Sequence, residues 1–492
     1  MKVVFVIPPF DYAWSIGSPY RRARNGILPP LGVGFLAAAL EARGHEAALV
    51  DAMAERFNVD QTAEAVAALQ PGLIGLSVMT CLNAPADQAT ARALREHCPG
   101  VPLVVGGPHV TGCGPGFLDS CPEADYAVPG DGEIPLCALT DALAAGTSPE
   151  DCPGLWLRAP GGAPVATPAA PLVKDLDTFA PPSRHLYKPG LYQPLPSLNL
   201  GRHVTTVITA RGCPWARCAF CHQGNNGAAR FRRRSPDHVV AEIEDLVRNH
   251  GIRSVVFWDD NFCVMSGWVR SFCDLLDSRK LRIKWSVLAR ADTVTPEMLR
   301  RMAASGCYSI QFGFESGVPE LLALIKKGTT LDQYRDAVRW SRDAGLEVRG
   351  SFMLGFPTET PEMSERTIDF ACGLNADYML FFAYHVLPGT PLEAFARERG
   401  RVGETGDFNI HQPSYVPDTY PDADTLARMV RRAYLRYYFR PSYVLGAGGR
   451  LARRPGLAWN HLAGFFYWLG LLHAGAARPG KSGQAARPDP SP

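Results

Sequence analysis

Short apolar runs of strand length alternate with amphipathic stretches along most of the chain. Val3–Ile7, Ala47–Asp51, Leu73–Val78, Leu103–Gly106 and Tyr126–Val128 read as strands, and Leu31–Arg43, Thr62–Leu69 and Ala86–Glu96 carry helical spacing between them. That alternation predicts an α/β architecture with a doubly wound, Rossmann-like parallel sheet over residues 1–145. Sheets of this kind take ligands outside the carboxyl ends of their strands, at the topological switch point. Residues 146–200 are rich in Pro and Gly, as at Gly161–Gly162 and Pro181–Pro182, and read as a linker with some hairpin content. A second β/α series then begins, with strands at Thr205–Thr209, Ser254–Trp258, Lys284–Leu288, Ser309–Phe314, Glu347–Met353 and Tyr378–Ala383. Helices such as His238–Asn249, Pro296–Ala304 and Leu331–Ala344 intervene. Six such units predict an open, partial (β/α)6 barrel over residues 201–395, with its chemistry at the strand carboxyl ends. Residues 396–475 read as a helical C-terminal region and 476–492 as a disordered tail.

Composition narrows the function classes. The chain of 492 residues is 46% hydrophobic, and its 50 basic and 48 acidic residues leave a net charge of +2. Nothing in that balance supplies the basic stripe that nucleic acid requires, so no nucleic-acid partner is expected. The opening run MKVVFVIPPF is too short for a secretory signal and reads as a buried strand, which points to the cytoplasm. Thirteen cysteines in a cytosolic chain of this length are mostly buried small residues rather than a disulfide framework. One group alone is spaced like a ligand set.

That group lies in Arg211-Gly-Cys-Pro-Trp-Ala-Arg-Cys-Ala-Phe-Cys-His222, directly after a predicted strand. Cys213, Cys218 and Cys221 offer three thiolates, the soft ligands that a [4Fe–4S] cluster takes. No fourth ligand stands nearby, which leaves one iron open to chelate the amino and carboxylate groups of S-adenosylmethionine (SAM). A zinc site wants four ligands, and His222, adjacent to Cys221, is badly placed to be one. With these residues the region from about 204 to 395 resembles the radical SAM superfamily core, whose common spacing is Cys-x3-Cys-x2-Cys. Here four residues separate Cys213 from Cys218. The resemblance implies a set of SAM contacts: Phe220 at the adenine, Asp259 and Asp260 at the methionine group, and Arg290 on a carboxylate. Glu315 would meet the ribose or methionine, and Gly355 would allow close approach of the adenosyl group.

The N-terminal region resembles the cobalamin-binding domain fused ahead of such cores. The matching pieces are Pro29–Gly32, Gly106-Gly-Pro-His109 and Gly130-Asp-Gly-Glu133. They imply corrin contacts at Gly32, Gly107, His109, Gly130 and Glu133. The Asp-x-His-x-x-Gly motif is missing, so cobalamin would bind with no histidine on cobalt.

Together these resemblances imply a cobalamin-dependent radical SAM enzyme, first of all a C-methyltransferase acting on an unactivated carbon in specialised metabolism. The alternative is a cyclase or ring-rearrangement enzyme on a porphyrin- or terpenoid-like substrate; a non-catalytic cobalamin or redox sensor ranks third. Tyr384 and His385 end the sixth strand and are candidate acid/base groups or pocket walls. The substrate would be a small molecule or lipid-like, and the reductant a flavodoxin or ferredoxin. The apolar, aromatic segment Leu457–Ala474 reads as a helix over the barrel mouth in preference to a membrane-surface helix.

Overall fold

A computed structural model describes residues 1–10, 26–159, 161–188, 190–193, 203–223, 230–403 and 413–453. In the first sheet β1 (Lys2–Ile7), β2 (Glu46–Asp51), β3 (Leu73–Ser77), β4 (Leu103–Gly106) and β5 (Tyr126–Val128) run parallel. Their spatial order, β2-β1-β3-β4-β5, reverses direction between β1 and β3, which puts the switch point at the ends of those two strands. Burial follows the pleat. Val4, Val6, Ile74 and Leu76 enter one core, and Val3, Phe5, Leu73 and Val104 enter another on the opposite face. Strands covered on both sides therefore read as unbroken apolar runs. The antiparallel strands β6 (Trp156–Arg158) and β7 (Pro164–Ala166) extend the β5 edge.

The second sheet winds in one direction only. Its strands β8 (Val204–Val207), β11 (Ser254–Phe257), β12 (Lys284–Ala289), β13 (Cys307–Glu315), β14 (Glu347–Leu354) and β15 (Tyr378–Ala383) are parallel and lie side by side in chain order. This is the partial six-stranded barrel. A separate antiparallel pair, β9 (Ala210–Arg211) and β10 (Arg232–Arg233), stands between β8 and β11 in the chain. Local chemistry starts the barrel helices. Ser235, Thr295, Thr330 and Thr360 each accept an N–H with their hydroxyl, and Pro236, Pro296 and Pro361 follow three of them.

Along β13 to β15 one row of side chains, including Phe312, Phe352 and Phe381, is fully buried. Phe381 meets Tyr434 and Phe314 meets Tyr334, so this row packs against the helices. The alternate row of Gln311, Ser351, Met353, Leu380 and Phe382 is only half-buried and lines the concave face.

An open barrel leaves β15 with an unpaired edge. The helix Ala423–Tyr438 covers it with side chains: the Tyr438 hydroxyl accepts from Met379 N–H at 3.0 Å and donates to Met379 C=O at 2.8 Å. The Tyr434 hydroxyl accepts from Phe381 N–H at 3.1 Å. Phenols thus take the place of a seventh strand. The C-terminal region is not helical throughout, because β16 (Gly400–Val402) and β17 (Tyr415–Pro417) pair before the helices Ala423–Tyr438 and Pro441–Arg453. The segment Leu457–Ala474 and the tail 476–492 lie outside the described residues. No described helix is long and apolar enough to cross a membrane.

Arg184 of the linker enters the barrel wall, where Glu242 bridges it to Arg234 with both ion pairs at 2.6 Å and all three side chains buried. This triad fixes the linker to the first barrel helix.

Replacing Tyr434 and Tyr438 together by Phe keeps the rings and strands the β15 backbone groups. The expected cost is about 1–3 kcal/mol per buried group left unpaired. It should appear as a lower urea midpoint with faster amide exchange at Met379 and Phe381. Unchanged exchange there would show that the hydroxyls do not hold the edge.

Candidate active site

The loop from Gly212 to Phe231 leaves the barrel at the end of β8 and returns through β10, and its neck is tied four ways. The β9–β10 pairing sets Arg211 opposite Arg232 and Ala210 opposite Arg233. Arg234 N–H donates to Thr209 C=O at 2.9 Å. Asp259, fully buried at the end of β11, accepts from Thr209 N–H and hydroxyl at 2.6 Å and from Ala210 N–H at 2.9 Å. Arg233 stands 3.9 Å from Asp259 and stacks on Trp268. Gly212 has φ +80°, and a Cβ there would lie 3.0 Å from the Arg230 carbonyl, so the first turn of the loop requires glycine.

This neck delivers Cys213, Cys218 and Cys221 half-buried on one loop, with Cys221 N–H donating to Cys218 C=O at 3.1 Å. Burial pushes the Cys221 thiol up to about 12, and Asp260, Cys218 and Cys213 add to the shift. Mutual repulsion of this kind is what a cationic iron centre relieves. Most of the other ten cysteines are buried in the cores, Cys263 and Cys307 among them. The donor set fits a cluster: three soft thiolates on one loop beside the open mouth of a barrel.

The expected SAM contacts divide. Phe220 and Phe356 meet edge to face at 6.1 Å, and Phe356 packs on Tyr384 at 5.0 Å. Asp260 is exposed at the mouth beside Trp258. Glu315, buried at the end of β13, has φ +66° and pairs with Lys327 at 2.9 Å. A buried, non-glycine residue in left-handed backbone carries strain of order 1–3 kcal/mol, and such strain gathers at functional sites. Other expectations require correction. Asp259 spends both oxygens on the loop neck, so it positions the loop and has none left for SAM. Arg290 is likewise engaged: it forks onto Asp292 at 3.0 and 2.9 Å, donates to Lys327 C=O at 2.8 Å, and sets Nη1 3.7 Å from Cys218 Sγ. Gly355 has φ +86°, and its missing side chain makes room for Leu426 rather than for a ligand.

In the first sheet, among the described residues, nothing lies within 4 Å of a Cβ placed on Gly32, and one on Gly130 would meet only Arg230, at 3.7 Å. Gly107 departs from its expected role, because a side chain there would collide with the Val78 carbonyl. His109 is buried edge-on to Phe117 at 5.6 Å with Cys113 Sγ 3.5 Å away. Burial, with His222 nearby, lowers its pKa to about 4 and keeps it neutral. Glu133 holds Arg211 through both oxygens, one at 3.0 Å, and so joins the first sheet to the cysteine loop instead of facing a corrin. Asp131 completes that joint with Arg232 at 2.6 Å.

Tyr384 and His385 lie at the end of β15. His385 Nδ1 is 2.7 Å from Ser414 Oγ, and burial lowers its pKa to about 4. The Tyr384 hydroxyl and the Asn261 amide nitrogen are buried without hydrogen-bond partners among the described residues.

Four contributors had little or no sequence signal. Lys327 supports Glu315 from a distant loop, and Trp215 lies between Arg290 and Arg217. Met79, at the end of β3 beside the switch point, is 60% exposed, high for so apolar a side chain. Glu359, fully buried, accepts from Gly355 N–H and Phe356 N–H at 2.9 Å and from the Ser364 hydroxyl, so it shapes the turn after β14.

Glu359 generates a pH prediction. Burial raises its pKa from 4.5 to about 7. The folded state therefore holds this proton more tightly than the unfolded state, and the associated stability is present at low pH and lost as pH rises from about 4.5 to 7. Glu359→Gln, which can still accept both N–H groups, should remove this downward slope from a plot of urea midpoint against pH. An unaltered slope would mean that Glu359 titrates normally.

Comparisons with known proteins agree with this geometry. Residues 17–140 match the B12 binding domain and residues 207–371 the radical SAM superfamily. The chain is 29% identical to an uncharacterized methyltransferase of Pyrococcus horikoshii over 90% of this chain and 94% of the relative. It is also 29% identical to the anaerobic magnesium-protoporphyrin IX monomethyl ester cyclase of Rubrivivax gelatinosus, over 91% of this chain and 81% of the relative. The fold is similar to that of the radical SAM methyltransferase TsrM of Kitasatospora setae, with a TM-score of 0.67 and 21% identity over 82% of this chain and 78% of that one. The chain accordingly belongs to the radical SAM superfamily, among the members that carry a B12-binding domain ahead of the radical SAM core.

Proposed function

We propose that the protein is a cobalamin-dependent radical SAM methyltransferase that acts on an unactivated carbon of a small, largely apolar substrate. One observation carries the reading: a loop of three thiolates, tied at its neck, is joined through Arg211 and Glu133 to a doubly wound sheet at its ligand-binding end. Cys213, Cys218 and Cys221 would hold the [4Fe–4S] cluster, and Phe220, Asp260 and Glu315 would hold SAM. Gly32, Gly130 and Met79 would bed the corrin. When bound, these groups supply the electron that cleaves SAM reductively and the methyl group that is transferred.

The chain's own residues do the rest. Asp259 and Arg233 tie the loop neck on which the three thiolates are carried. The Glu315–Lys327 pair fixes a carboxylate at the mouth. Met353, Leu380 and Phe382 give the concave face an apolar wall, with Gln311 and Ser351 as its polar points. The buried Tyr384 hydroxyl, without a partner among the described residues, would meet a ligand in the same wall, and burial keeps His385 neutral for a proton-accepting role. Arg290, beside Cys218, places positive charge near the cluster and favours its reduced form. A cytoplasmic location and a flavodoxin or ferredoxin as electron source belong to the same reading. The cyclase reading stays as the second one, supported by the relative of that name.

Anaerobic protein loaded with iron, sulfide and cobalamin is expected to show a base-off corrin spectrum and to release 5′-deoxyadenosine and S-adenosylhomocysteine in similar amounts. Deoxyadenosine without the homocysteine product would transfer the case to the cyclase. Changing Cys213, Cys218 or Cys221 to Ala should remove the cluster and SAM cleavage together; a full cluster signal in any one variant would refute the ligand set. Glu315→Ala should weaken SAM binding by roughly 10- to 100-fold, as expected for a lost charge-assisted contact. Arg290→Gln should leave iron content and SAM affinity near wild type while moving the cluster midpoint potential more negative, read by EPR-monitored titration.

A further inference from the structure

We infer that the outer face of the cysteine loop, around Trp215, is the docking site of a small acidic electron-transfer protein, and that the electron enters through this indole. The inference rests on the proposed cluster, which must be reduced by one electron from outside. The mouth of the barrel is the side assigned to SAM, substrate and corrin, so a protein donor needs another approach.

The loop has such a side. An open groove of about 510 Å³ lies against it, floored by Trp215, Leu322, Gly328 and Pro391. Trp215 is half-buried there, and its Nε1 donates to Lys326 C=O at 3.0 Å. Gly328 has φ +70°, and any side chain on it would overlap the indole, so the ring rests directly on backbone. Arg217 stacks over the ring at 5.4 Å and Arg290 at 4.8 Å. Arg290 in turn sets Nη1 3.7 Å from Cys218 Sγ. Between solvent and a cluster thiolate there are thus one indole and one guanidinium.

The rim of the groove is basic and uncompensated. Arg217 and Lys326 are exposed, and neither forms an ion pair among the described residues. Exposed cations elsewhere on the barrel are commonly matched, as Arg270 is by Glu297, Arg339 by Asp336, and Arg335 by Asp332. An apolar floor with an unmatched basic rim fits a partner that presents the apolar edge of its redox group inside a ring of carboxylates. Complementary charge of this kind sets encounter rate and orientation. The step balances simply: one electron leaves the donor, whose flavin hydroquinone becomes semiquinone, and the cluster falls from the 2+ to the 1+ state. No bond is made or broken.

The test uses cluster-loaded protein with flavodoxin as the probe. Lys326→Glu combined with Ala323→Glu should weaken flavodoxin binding at low salt at least tenfold by calorimetry. It should slow cluster reduction by flavodoxin hydroquinone to a similar extent while leaving reduction by dithionite unchanged. Carbodiimide coupling of wild-type protein to flavodoxin should join a flavodoxin carboxylate to Lys326, and salt at roughly 0.5 M, which screens surface charge, should abolish it. Trp215→Phe should slow reduction without weakening binding. Wild-type binding and reduction in the double variant, or coupling that maps away from Lys326, would overturn the docking site. Failure of dithionite to drive SAM cleavage in a fully loaded protein would instead overturn the proposed function, with the docking site still judged by binding and coupling.

Discussion

The carboxylate of Asp259 is the constraint on which the site depends. A loop that carries three thiolates within nine residues has no interior of its own, and half-buried sulfur contributes little packing. Its shape must therefore be imposed from the ends. Asp259 does this where β8 becomes loop, with three hydrogen bonds of 2.6–2.9 Å made away from water. A buried carboxylate is costly unless its oxygens are satisfied and a cation stands near. Arg233 answers that need from the returning strand, so the charge that stabilises Asp259 also closes the loop. The neck and its electrostatics are one device.

How much of this was legible in the sequence follows from range. Strand and helix order in both sheets could be read, since each run is set by local periodicity and by Ser-Pro or Thr-Pro starts such as Ser235–Pro236. The cysteine triplet could be read because its three ligands fall within nine residues. Long-range pairings left no local mark. Lys327 lies twelve residues beyond Glu315, and Glu133 lies seventy-eight residues before Arg211. Glycines misled in a specific way: Gly107 and Gly355 were read as room for a ligand, whereas the room is filled by the Val78 carbonyl and by Leu426. A glycine in sequence says that something approaches closely, not what approaches. Asp259 and Arg290 misled for a similar reason. A charged residue at a strand end serves ligand or scaffold, and only its partners decide which.

The two sheets solve opposite problems. The first is buried on both faces and doubly wound, so its ligand-binding end is set by the reversal between β1 and β3. The second winds one way and stops at six strands, which leaves a hydrogen-bonding edge that an eight-stranded barrel would not have. Tyrosine hydroxyls from the helix Ala423–Tyr438 satisfy that edge without closing the ring. The lumen consequently remains open, with a half-buried apolar lining where a closed barrel would be filled by its own side chains. The first sheet is then joined to the cysteine loop through Arg211 and Asp131 and comes close again where Gly389 lies over the Gly112 carbonyl. The open barrel and the second domain are parts of the same solution: the space left by two absent strands is what a second cofactor domain can face.

This arrangement gives the cysteine loop two sides with different duties. On the barrel side stand Asp260, Phe220 and Glu315, two carboxylates and an aromatic ring. On the solvent side stand Arg217, Lys326 and the indole between them, cationic and lacking carboxylate partners among the described residues. Arg290 lies between the two, its guanidinium shared among Asp292, the Lys327 carbonyl, the Trp215 face and Cys218 Sγ. A single fixed cation in that position draws electron density toward the thiolate while holding the loop's outer wall in place. A lysine would provide the charge without the fork that reaches all four partners at once. Which face of one short loop each charge occupies therefore sorts carboxylates to the barrel side and cations to the solvent side, with Arg290 as the group that touches both.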